Sequence, residues 1–230
     1  SARGSGSPPP PPRGHRPEFR GGQGGVAAPS ANKFGHVSPT LAAHVRQEFA
    51  SELGTMLPMV LDGGASQVGI ESTILDLSRW HSHGPVLLRP GHISSIQIAT
   101  VLGREPLAPD ASAPRASGTL ASHYAPHTPV VLLGRDMLVQ SAQQLQQRGQ
   151  SYPVLLHQMD APQGAGAICR LPANGDGYAH GLYAALRELD QSGCFVILIE
   201  APSKGGEWLG INDRLARAAH GSEGILAQFS

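Results

Sequence analysis

The chain has 230 residues, of which 40% are hydrophobic, so it can form one large domain or two small ones with packed cores. Its 17 basic and 17 acidic residues give a formal net charge of zero, which excludes a protein drawn to nucleic acid by an overall positive field. No run approaches the roughly 18 to 20 apolar residues of a membrane span, and no hydrophobic signal core follows the basic N-terminus, so we expect a cytoplasmic protein without a membrane partner.

Residues 1–25 have a composition that does not support a folded core. Prolines occupy Pro8 to Pro12, glycines and arginines follow, and large apolar side chains are almost absent. Such a segment gains too little apolar burial to offset the entropy of ordering. We therefore predict a disordered Pro/Gly/Arg-rich leader, with a polyproline ligand as the alternative, and expect order to begin near Val26.

The segment 26–103 predicts a first α/β block that opens with a helix. Ser38 followed by Pro39 is typical of an N-cap and a first helical residue. Apolar residues at four-residue spacing follow, as an amphipathic helix requires, at Leu41, Val45 and Phe49. The block therefore begins with a helix after Ser38.

The rest of the first block predicts short strands and a second helix. Apolar runs bounded by glycine and proline predict strands at 59–61, 70–77 and 86–88. The turn Asp62-Gly63-Gly64 ends the first of these strands. Ser94 or Ser95 caps a helix that carries apolar residues on one face, namely Ile98, Val101 and Leu102.

Segment 104–127 is rich in Pro, Ala, Ser and Gly and predicts a linker to a second block, 128–230. In this block, apolar runs predict strands at 130–133, 154–157 and 195–200. Helices are expected to alternate with them at 137–147, 178–191 and 211–220. Short strands that are apolar throughout and alternate with helices indicate a parallel sheet covered on both faces. We predict a small Rossmann-like domain, although Gly134-Arg135-Asp136 is not a dinucleotide-binding loop and no P-loop occurs.

The cysteines and histidines do not predict a metal centre. Cys169 and Cys194 lie far apart, and Cys194 opens an apolar run typical of a buried, reduced thiol. His81 and His83 have no Cys or carboxylate at ligand spacing, which favours a solvated loop over a zinc site.

Two short polar side chains stand two residues apart in Ala28-Pro29-Ser30-Ala31-Asn32. In an extended segment Ser30 and Asn32 would point to the same face and could bind one ligand together. The alternative is a local turn or cap, which this residue pattern forms more often. The residues alone do not decide between them.

Further candidates lie at strand ends and in the linker. Gly69-Ile70-Glu71-Ser72-Thr73 concentrates hydroxyl groups beside a glycine that lets a ligand approach the backbone. Arg89 follows a buried strand, where a guanidinium fork can bind phosphate oxygens, or can form a surface salt bridge instead. His123-Tyr124 is either a hinge anchor or a lid over a ligand.

Several motifs follow one another in a fixed order along the first block and linker: Pro29-Ser30-Ala31-Asn32, Ser38-Pro39-Thr40, Asp62-Gly63-Gly64, Gly69 to Thr73, Leu88-Arg89-Pro90-Gly91 and Ser122 to Pro126. This order resembles the threonylcarbamoyl-AMP synthase family, whose catalytic part is a YrdC-like α/β domain. The second block is similar to the family's C-terminal domain through 182–190 and 212–219. The resemblance implies an incomplete YrdC-like domain followed by a parallel-sheet, Rossmann-like domain.

The resemblance implies a nucleotidyltransferase that condenses L-threonine, bicarbonate and ATP to threonylcarbamoyl-AMP and pyrophosphate for tRNA modification. Ser30 and Ser72 would bind threonine. The nucleotide would contact Asn32, Thr40, Arg89 and Tyr124. Mg²⁺ would arrive with ATP, and no residue is assigned as catalytic or as a metal ligand. Tyr124 would close the linker over the site as a lid that excludes water, and tRNA or the threonylcarbamoyl-transfer complex would be a further partner.

One part of the family pattern has no counterpart in this sequence. The YrdC-like domain supplies a Lys-x-Arg pair that completes a tetrad with Ser-x-Asn, and we find no such pair in a matching context. We therefore expect an N-terminally truncated catalytic domain. The alternative function is an inactive remnant that acts at most as an RNA- or protein-binding module. The related carbamoyltransferase of hydrogenase maturation fits poorly, because it carries zinc-finger cysteines and lacks this C-terminal domain.

Overall fold

The computed structural model describes residues 29–55, 59–120, 123–222 and 224–229. Our predictions for residues 1–25 and for the start of order near Val26 lie outside these residues. The α-helices are α1 (Ala42–Glu48), α2 (Ser95–Leu102), α3 (Arg135–Gln147), α4 (Gly175–Asp190) and α5 (Leu209–Ala218). The strands are β1 (Ile74–Asp76), β2 (Val86–Arg89), β3 (Val130–Leu133), β4 (Tyr152–Leu156), β5 (Ala165–Arg170) and β6 (Ile197–Glu200). Short 3₁₀ helices cover Gly206–Trp208 and Ile225–Phe229. Among the helices of the described residues, none has the length and apolar character that crossing a bilayer requires.

The second block is built on a parallel sheet with strand order β3-β6-β4-β5. Its two central strands, β4 and β6, are buried along their whole length. Strands that are apolar on both faces need a cover on both faces, which the helices between them provide. The predicted α/β class and parallel sheet are confirmed.

The helices of the second block pack on opposite faces of this sheet. On one face α3 presents residues spaced by one helical turn: Leu138, Ala142 and Leu145. On the other face α4 and α5 form a larger core, through Tyr178, Leu182, Leu186, Ile211 and Leu215. That core continues into the first block and linker, because Val37, Ile70 and Tyr124 belong to the same cluster. The apolar contacts therefore join the two blocks.

The first block contains a two-stranded antiparallel sheet in which Leu75 lies opposite Leu87. Helix α2 follows it as predicted. Ser94 is its N-cap: its side chain accepts a hydrogen bond from the Gln97 backbone N–H at 3.3 Å, and the Gln97 side chain accepts from the Ser94 backbone N–H at 2.8 Å. This reciprocal capping box satisfies two otherwise unpaired donors at the helix start.

Several strand boundaries differ from the prediction. The expected strand at 59–61 is wrong: Met59 and Leu61 are 67% and 81% exposed, and this segment is not paired as a strand. The strand expected at 70–77 shrinks to β1, because residues before it contact the second block instead. Strand β5 was not predicted, because its glycine and alanine content resembles a loop; it is held as a parallel edge strand against β4.

The predicted role of Ser38 is also wrong. Helix α1 begins four residues later, with Leu41 in the N-cap position and no side-chain cap. Ser38 instead donates its hydroxyl to Glu71 Oε1 at 2.6 Å. A hydrogen bond to an ionised carboxylate is stronger than one to a helix-end amide, so this long-range contact overrides the local preference.

The cysteines are both free, as predicted, but only Cys169 is buried and Cys194 is half-buried. Burial raises the pKa of the Cys169 thiol to about 12, which keeps it protonated and unreactive at neutral pH. A structural role suits this thiol.

A buried carboxylate at the end of β6 fixes the loop that follows β4. Glu200 is 5% exposed, and its carboxylate accepts the backbone N–H groups of His157 at 2.8 Å, Gln158 at 3.0 Å and Met159 at 3.2 Å. Burial acts to raise the pKa of Glu200, but these N–H donors lower it by more, so the carboxyl pKa lies below its ordinary value. The charge is therefore part of the folded state.

We expect Glu200→Gln to lower the free energy of unfolding by about 1.5–3 kcal/mol at pH 7, because the loop amides lose a charged acceptor and face an amide group. Since the folded pKa is depressed, the stabilisation by Glu200 is present above the ordinary glutamate pKa and is lost as pH falls through the folded value. Urea denaturation from pH 7 to pH 3 should thus show a smaller loss of stability in the variant than in the wild type. Glu105→Gln, at an exposed glutamate, is the control. Equal stability of the two variants at pH 7 would contradict the role of Glu200.

Candidate functional site

Glu71 lies at the centre of a polar network that joins the two blocks. It precedes β1, in the segment that begins at Gly69. Its Oε1 accepts from the Ser38 hydroxyl at 2.6 Å, and its Oε2 accepts from the Tyr183 hydroxyl at 2.7 Å and from Arg214 Nε at 2.9 Å. The three donors come from the first block, from α4 and from α5.

The charges in this network are paired, and the Arg214 guanidinium is buried while the Glu71 side chain is 19% exposed. Arg214 is 1% exposed and also donates to the Pro90 carbonyl at 2.7 Å and to Asp213 at 2.8 Å. Burial acts to raise the pKa of Glu71, but the hydrogen bonds from Ser38, Tyr183 and Arg214 and the guanidinium charge lower it by more. The pKa of Glu71 therefore lies below its ordinary value, and the carboxylate is ionised in the folded protein.

A cavity of about 220 Å³ opens beside Glu71. Two of the predicted site residues, Ser30 and Thr40, line it together with Glu71 and Tyr183. The wall thus offers hydroxyl groups, a fixed carboxylate and an aromatic side chain, while Gly69 and Ile70 contribute part of the remaining wall. The arrangement suits a small polar ligand.

Arg89 and Ser72 form a second group. Ser72 directly follows Glu71, a residue of the cavity wall, in the sequence. Arg89 is 6% exposed, and its Nε and Nη2 donate to the Ser72 carbonyl at 3.2 Å and 3.0 Å. Its Nη1 donates to the Ser117 carbonyl at 2.8 Å. Arg89 therefore ties the linker to the end of β2, and Ser72 is exposed beside it.

Tyr124 is held in this group in a strained backbone conformation. Its φ is 60°, in the left-handed region that side chains with a Cβ rarely adopt. The ring is 2% exposed, stacks on Tyr183 with centroids 5.7 Å apart, and lies 5.3 Å from the Arg214 guanidinium. Burial, and then the negative charge of Glu71, raise the pKa of Tyr124. The linker is thus fastened to the Glu71 network through an aromatic side chain.

Asn32 lies in the loop after Ser30 and does not line this cavity. Its Nδ2 donates to the carbonyls of Lys33 and His36, both at 3.0 Å. Its Oδ1 is buried and accepts no hydrogen bond from the part of the chain that the structure describes. An unpaired buried acceptor is unfavourable, so this amide oxygen lacks a donor that the described residues do not supply.

The structure therefore brings together most of the predicted site residues. Ser30 and Thr40 line the cavity, Ser72 is covalently next to Glu71, and Arg89 and Tyr124 close one side of the network. Missing from the sequence-based site are the three residues that connect these groups: Glu71, Tyr183 and Arg214. Each lies in a motif recognised in the sequence, but nothing in those motifs indicates that they meet.

A larger cavity of about 420 Å³ lies elsewhere between the two blocks, and none of the predicted site residues lines it. Its basic side chains are already paired: Lys33 lies 3.2 Å from Glu52, and Arg187 lies 2.9 Å from Glu48. A charged ligand would have to displace these partners. The smaller cavity beside Glu71 is the better candidate.

Comparison with known proteins gives a consistent family. The model described as "Threonylcarbamoyl-AMP synthase, C-terminal domain" matches residues 93–220, and the model described as "Telomere recombination" matches residues 18–91. A threonylcarbamoyl-AMP synthase of Pyrococcus abyssi is 32% identical over 205 residues, which cover 84% of this chain and 57% of that protein. The Bacillus subtilis enzyme of the same name is 34% identical over 209 residues, covering 85% and 57%. The chain thus spans little more than half the length of these curated relatives.

The fold is also similar to a solved structure. The crystal structure of P. abyssi Sua5 complexed with L-threonine superposes with a TM-score of 0.70 at 30% sequence identity, over 83% of this chain and 56% of that one. A second structure, of a doubly substituted variant of the same archaeal protein, superposes with a TM-score of 0.68 at 29% identity. The arrangement of both blocks is therefore shared with that protein.

Gly118 provides a test of how the linker is fastened. A Cβ at this position would lie 2.0 Å from Tyr124 Oη and 3.0 Å from Arg89 Nη1, and the φ of Gly118 is +71°. We expect Gly118→Ala to displace Tyr124 and to lower the free energy of unfolding by about 1–3 kcal/mol more than the backbone strain alone. Near-UV circular dichroism and urea denaturation would measure both effects.

Gly103→Ala is the matched control for this substitution. Gly103 has nearly the same φ, +69°, and a Cβ there would meet no atom within 4 Å. The control carries the strain of a left-handed residue, about 1–2 kcal/mol, without the steric clash. Equal destabilisation by the two substitutions would show that Tyr124 is not held against Gly118.

Proposed function

Because the chain belongs to the threonylcarbamoyl-AMP synthase family, we propose that it forms threonylcarbamoyl-AMP and pyrophosphate from L-threonine, bicarbonate and ATP. The observation that carries the proposal is the cavity beside Glu71, whose wall Ser30 and Thr40 share with a carboxylate that is already paired. Its size and its hydroxyl groups suit a small polar amino acid. The similar archaeal structure with L-threonine bound supports threonine as the substrate.

We assign each substrate residues from both the cavity wall and the group around Arg89. Ser30 and Ser72 bind threonine, and the nucleotide contacts come from Asn32, Thr40, Arg89 and Tyr124. Arg89 has five N–H donors, and the backbone carbonyls of Ser72 and Ser117 engage only some of them. The guanidinium is therefore oriented in advance and retains donor capacity and positive charge for a phosphate oxygen.

The reaction needs orientation and neutralisation of charge more than a protein nucleophile. The threonine nitrogen forms a bond to the bicarbonate carbon with loss of water, which gives a carbamate. A carbamate oxygen then attacks the α-phosphorus of ATP, the bond from that phosphorus to the bridging oxygen breaks, and pyrophosphate leaves. Side chains that hold the two substrates in line and exclude water would accelerate both steps. Tyr124 and the linker would exclude water from the two bound substrates.

Magnesium enters as part of the substrate Mg²⁺·ATP. Within the described ranges, no group of three or more His, Cys, Asp and Glu residues has the arrangement of a metal site. The oxygens of Glu71 are occupied by Ser38, Tyr183 and Arg214. Mg²⁺ in nucleotide sites is held largely by phosphate oxygens and water, which suits a site of this composition.

The product is consumed in tRNA modification, so we propose a cytoplasmic setting, with tRNA or the threonylcarbamoyl-transfer complex as the partner that receives it. A second candidate function is a non-catalytic binding module. It is favoured by one observation: the chain spans 57% of the length of its P. abyssi relative, so it contains only part of what that protein contains.

The test is release of pyrophosphate from ATP by the purified 230-residue chain. We expect release only when L-threonine and bicarbonate are both present. Ser30→Ala should raise the threonine concentration needed for half-maximal release about three- to tenfold, because one hydrogen bond to the substrate is lost. Ser82→Ala, at an exposed serine, should leave it unchanged.

Two outcomes decide between the candidate functions. Pyrophosphate release that depends on all three substrates supports the synthase. Threonine binding by calorimetry without any release would contradict catalysis by this chain and support the binding module.

A further inference from the structure

We propose that Tyr183 and Arg214, which belong to helices α4 and α5 of the second block, are positioning residues for the cavity beside Glu71. They hold the Glu71 carboxylate in one place, and Glu71 in turn orients the Ser38 hydroxyl and fixes the segment 69–72 that forms the cavity wall. In naming the cavity ligand, L-threonine, this inference rests on the proposed function.

The contacts place the second block at the cavity itself. Tyr183 lines the cavity and donates to Glu71 Oε2 at 2.7 Å. Arg214 donates to Glu71 Oε2 at 2.9 Å, to the Glu71 carbonyl at 3.4 Å and to the Pro90 carbonyl at 2.7 Å. One side chain thus fixes two backbone points, which precede β1 and follow β2.

The backbones approach closely enough that only glycine fits between them. A Cβ on Gly69 would lie 2.3 Å from the Ala179 carbonyl oxygen in α4. A Cβ on Gly210, in α5, would lie 2.7 Å from the Gly91 carbonyl oxygen. Helix α4 therefore rests directly on the main chain of segment 69–72, and α5 rests on the main chain that follows β2.

The geometry favours positioning over proton transfer by Glu71. The two carboxylate oxygens of Glu71 together accept three hydrogen bonds. The pKa of Glu71 lies below its ordinary value, whereas a general base works best with a pKa near the working pH. Burial and the charge of Glu71 raise the pKa of Tyr183 well above its ordinary value, so its hydroxyl stays neutral and keeps donating. A permanently ionised carboxylate with fixed partners is a rigid support.

The chain offers a matched pair of tyrosines for the test. Tyr178 and Tyr183 both lie on α4 and are 0% and 1% exposed. The Tyr178 hydroxyl has no hydrogen-bond partner among the described residues, so Tyr178→Phe removes the same atom without breaking a contact. Tyr183→Phe keeps the ring stacked on Tyr124 and removes only the donor to Glu71.

The first measurement is backbone hydrogen exchange on the protein without ligand. We expect Tyr183→Phe to accelerate exchange in peptides that cover 38–40 and 69–73 about tenfold or more, as loss of a hydrogen bond to a charged group predicts for a locally opening segment. Tyr178→Phe should match the wild type there. Equal exchange in the two variants would overturn the proposal whether or not the chain binds threonine.

The second measurement is a calorimetric titration with L-threonine from pH 7 to pH 4. In Tyr183→Phe we expect affinity at pH 7 to fall about five- to tenfold. The acid limb of binding should move to higher pH, because Glu71 loses a donor that lowers its pKa. A role in overall stability alone would not move that limb.

The outcomes separate the two proposals. Threonine binding that is equal in the wild type and in both variants overturns the positioning role and leaves the proposed function intact. Absence of binding by the wild type contradicts the proposed function, and hydrogen exchange then decides the positioning role. If Tyr183→Phe does not fold, Ser38→Ala removes the donor to the other carboxylate oxygen and should accelerate exchange at 69–73 alone.

Discussion

The ion pair between Glu71 and the buried Arg214 is the constraint on which the rest of the site depends. A guanidinium that is 1% exposed has lost its hydration, and that cost is offset only if its donors find acceptors with good geometry. Glu71, Asp213 and the Pro90 carbonyl supply them. Loss of any of these partners would leave a charge or a donor unsatisfied inside the protein. The helix that carries Arg214 and the segment that carries Glu71 must therefore fold against each other.

This constraint makes the second block part of the candidate site. The parallel sheet has its own cores on both faces, but the core under α4 and α5 also includes Val37, Ile70 and Tyr124. Tyr124 stacks on Tyr183 and lies over Arg214, so the linker is packed into the same contact. The second block is consequently part of the wall of the candidate site, and its helices define the positions of the cavity residues.

The sequence predicts those features that depend on local physics. Strand β3 and helix α2 lie where apolar runs and the Ser94 cap place them, and the parallel sheet follows from buried strands that alternate with helices. The features it does not predict depend on distant partners. Ser38 does not cap a helix because its hydroxyl donates to a carboxylate 33 residues away. Strand β5 forms because it pairs with β4.

The candidate site shows the same division between local and distant information. Ser30, Thr40, Ser72 and Arg89 are recognisable from short motifs with a fixed order. Glu71 and Arg214 are 143 residues apart, and neither periodicity nor composition indicates that two charged residues at such a distance will pair. They meet because α5 packs against the residues that follow β2, where a Cβ on Gly210 would lie 2.7 Å from the Gly91 carbonyl oxygen. Residues that connect a site are for this reason harder to predict than residues that line it.

A double-mutant cycle between Glu71→Gln and Arg214→Met would test most directly whether this pair joins the two blocks. The free energy of unfolding of the wild type, the two single variants and the double variant gives the coupling, and the exposed pair Arg46 and Asp62, 3.9 Å apart, gives a surface reference. We predict a coupling of about 1.5 kcal/mol or more for Glu71 and Arg214 and about 0.5 kcal/mol or less for the surface pair. Single-variant effects that add to within about 0.5 kcal/mol at Glu71 and Arg214 would contradict the account.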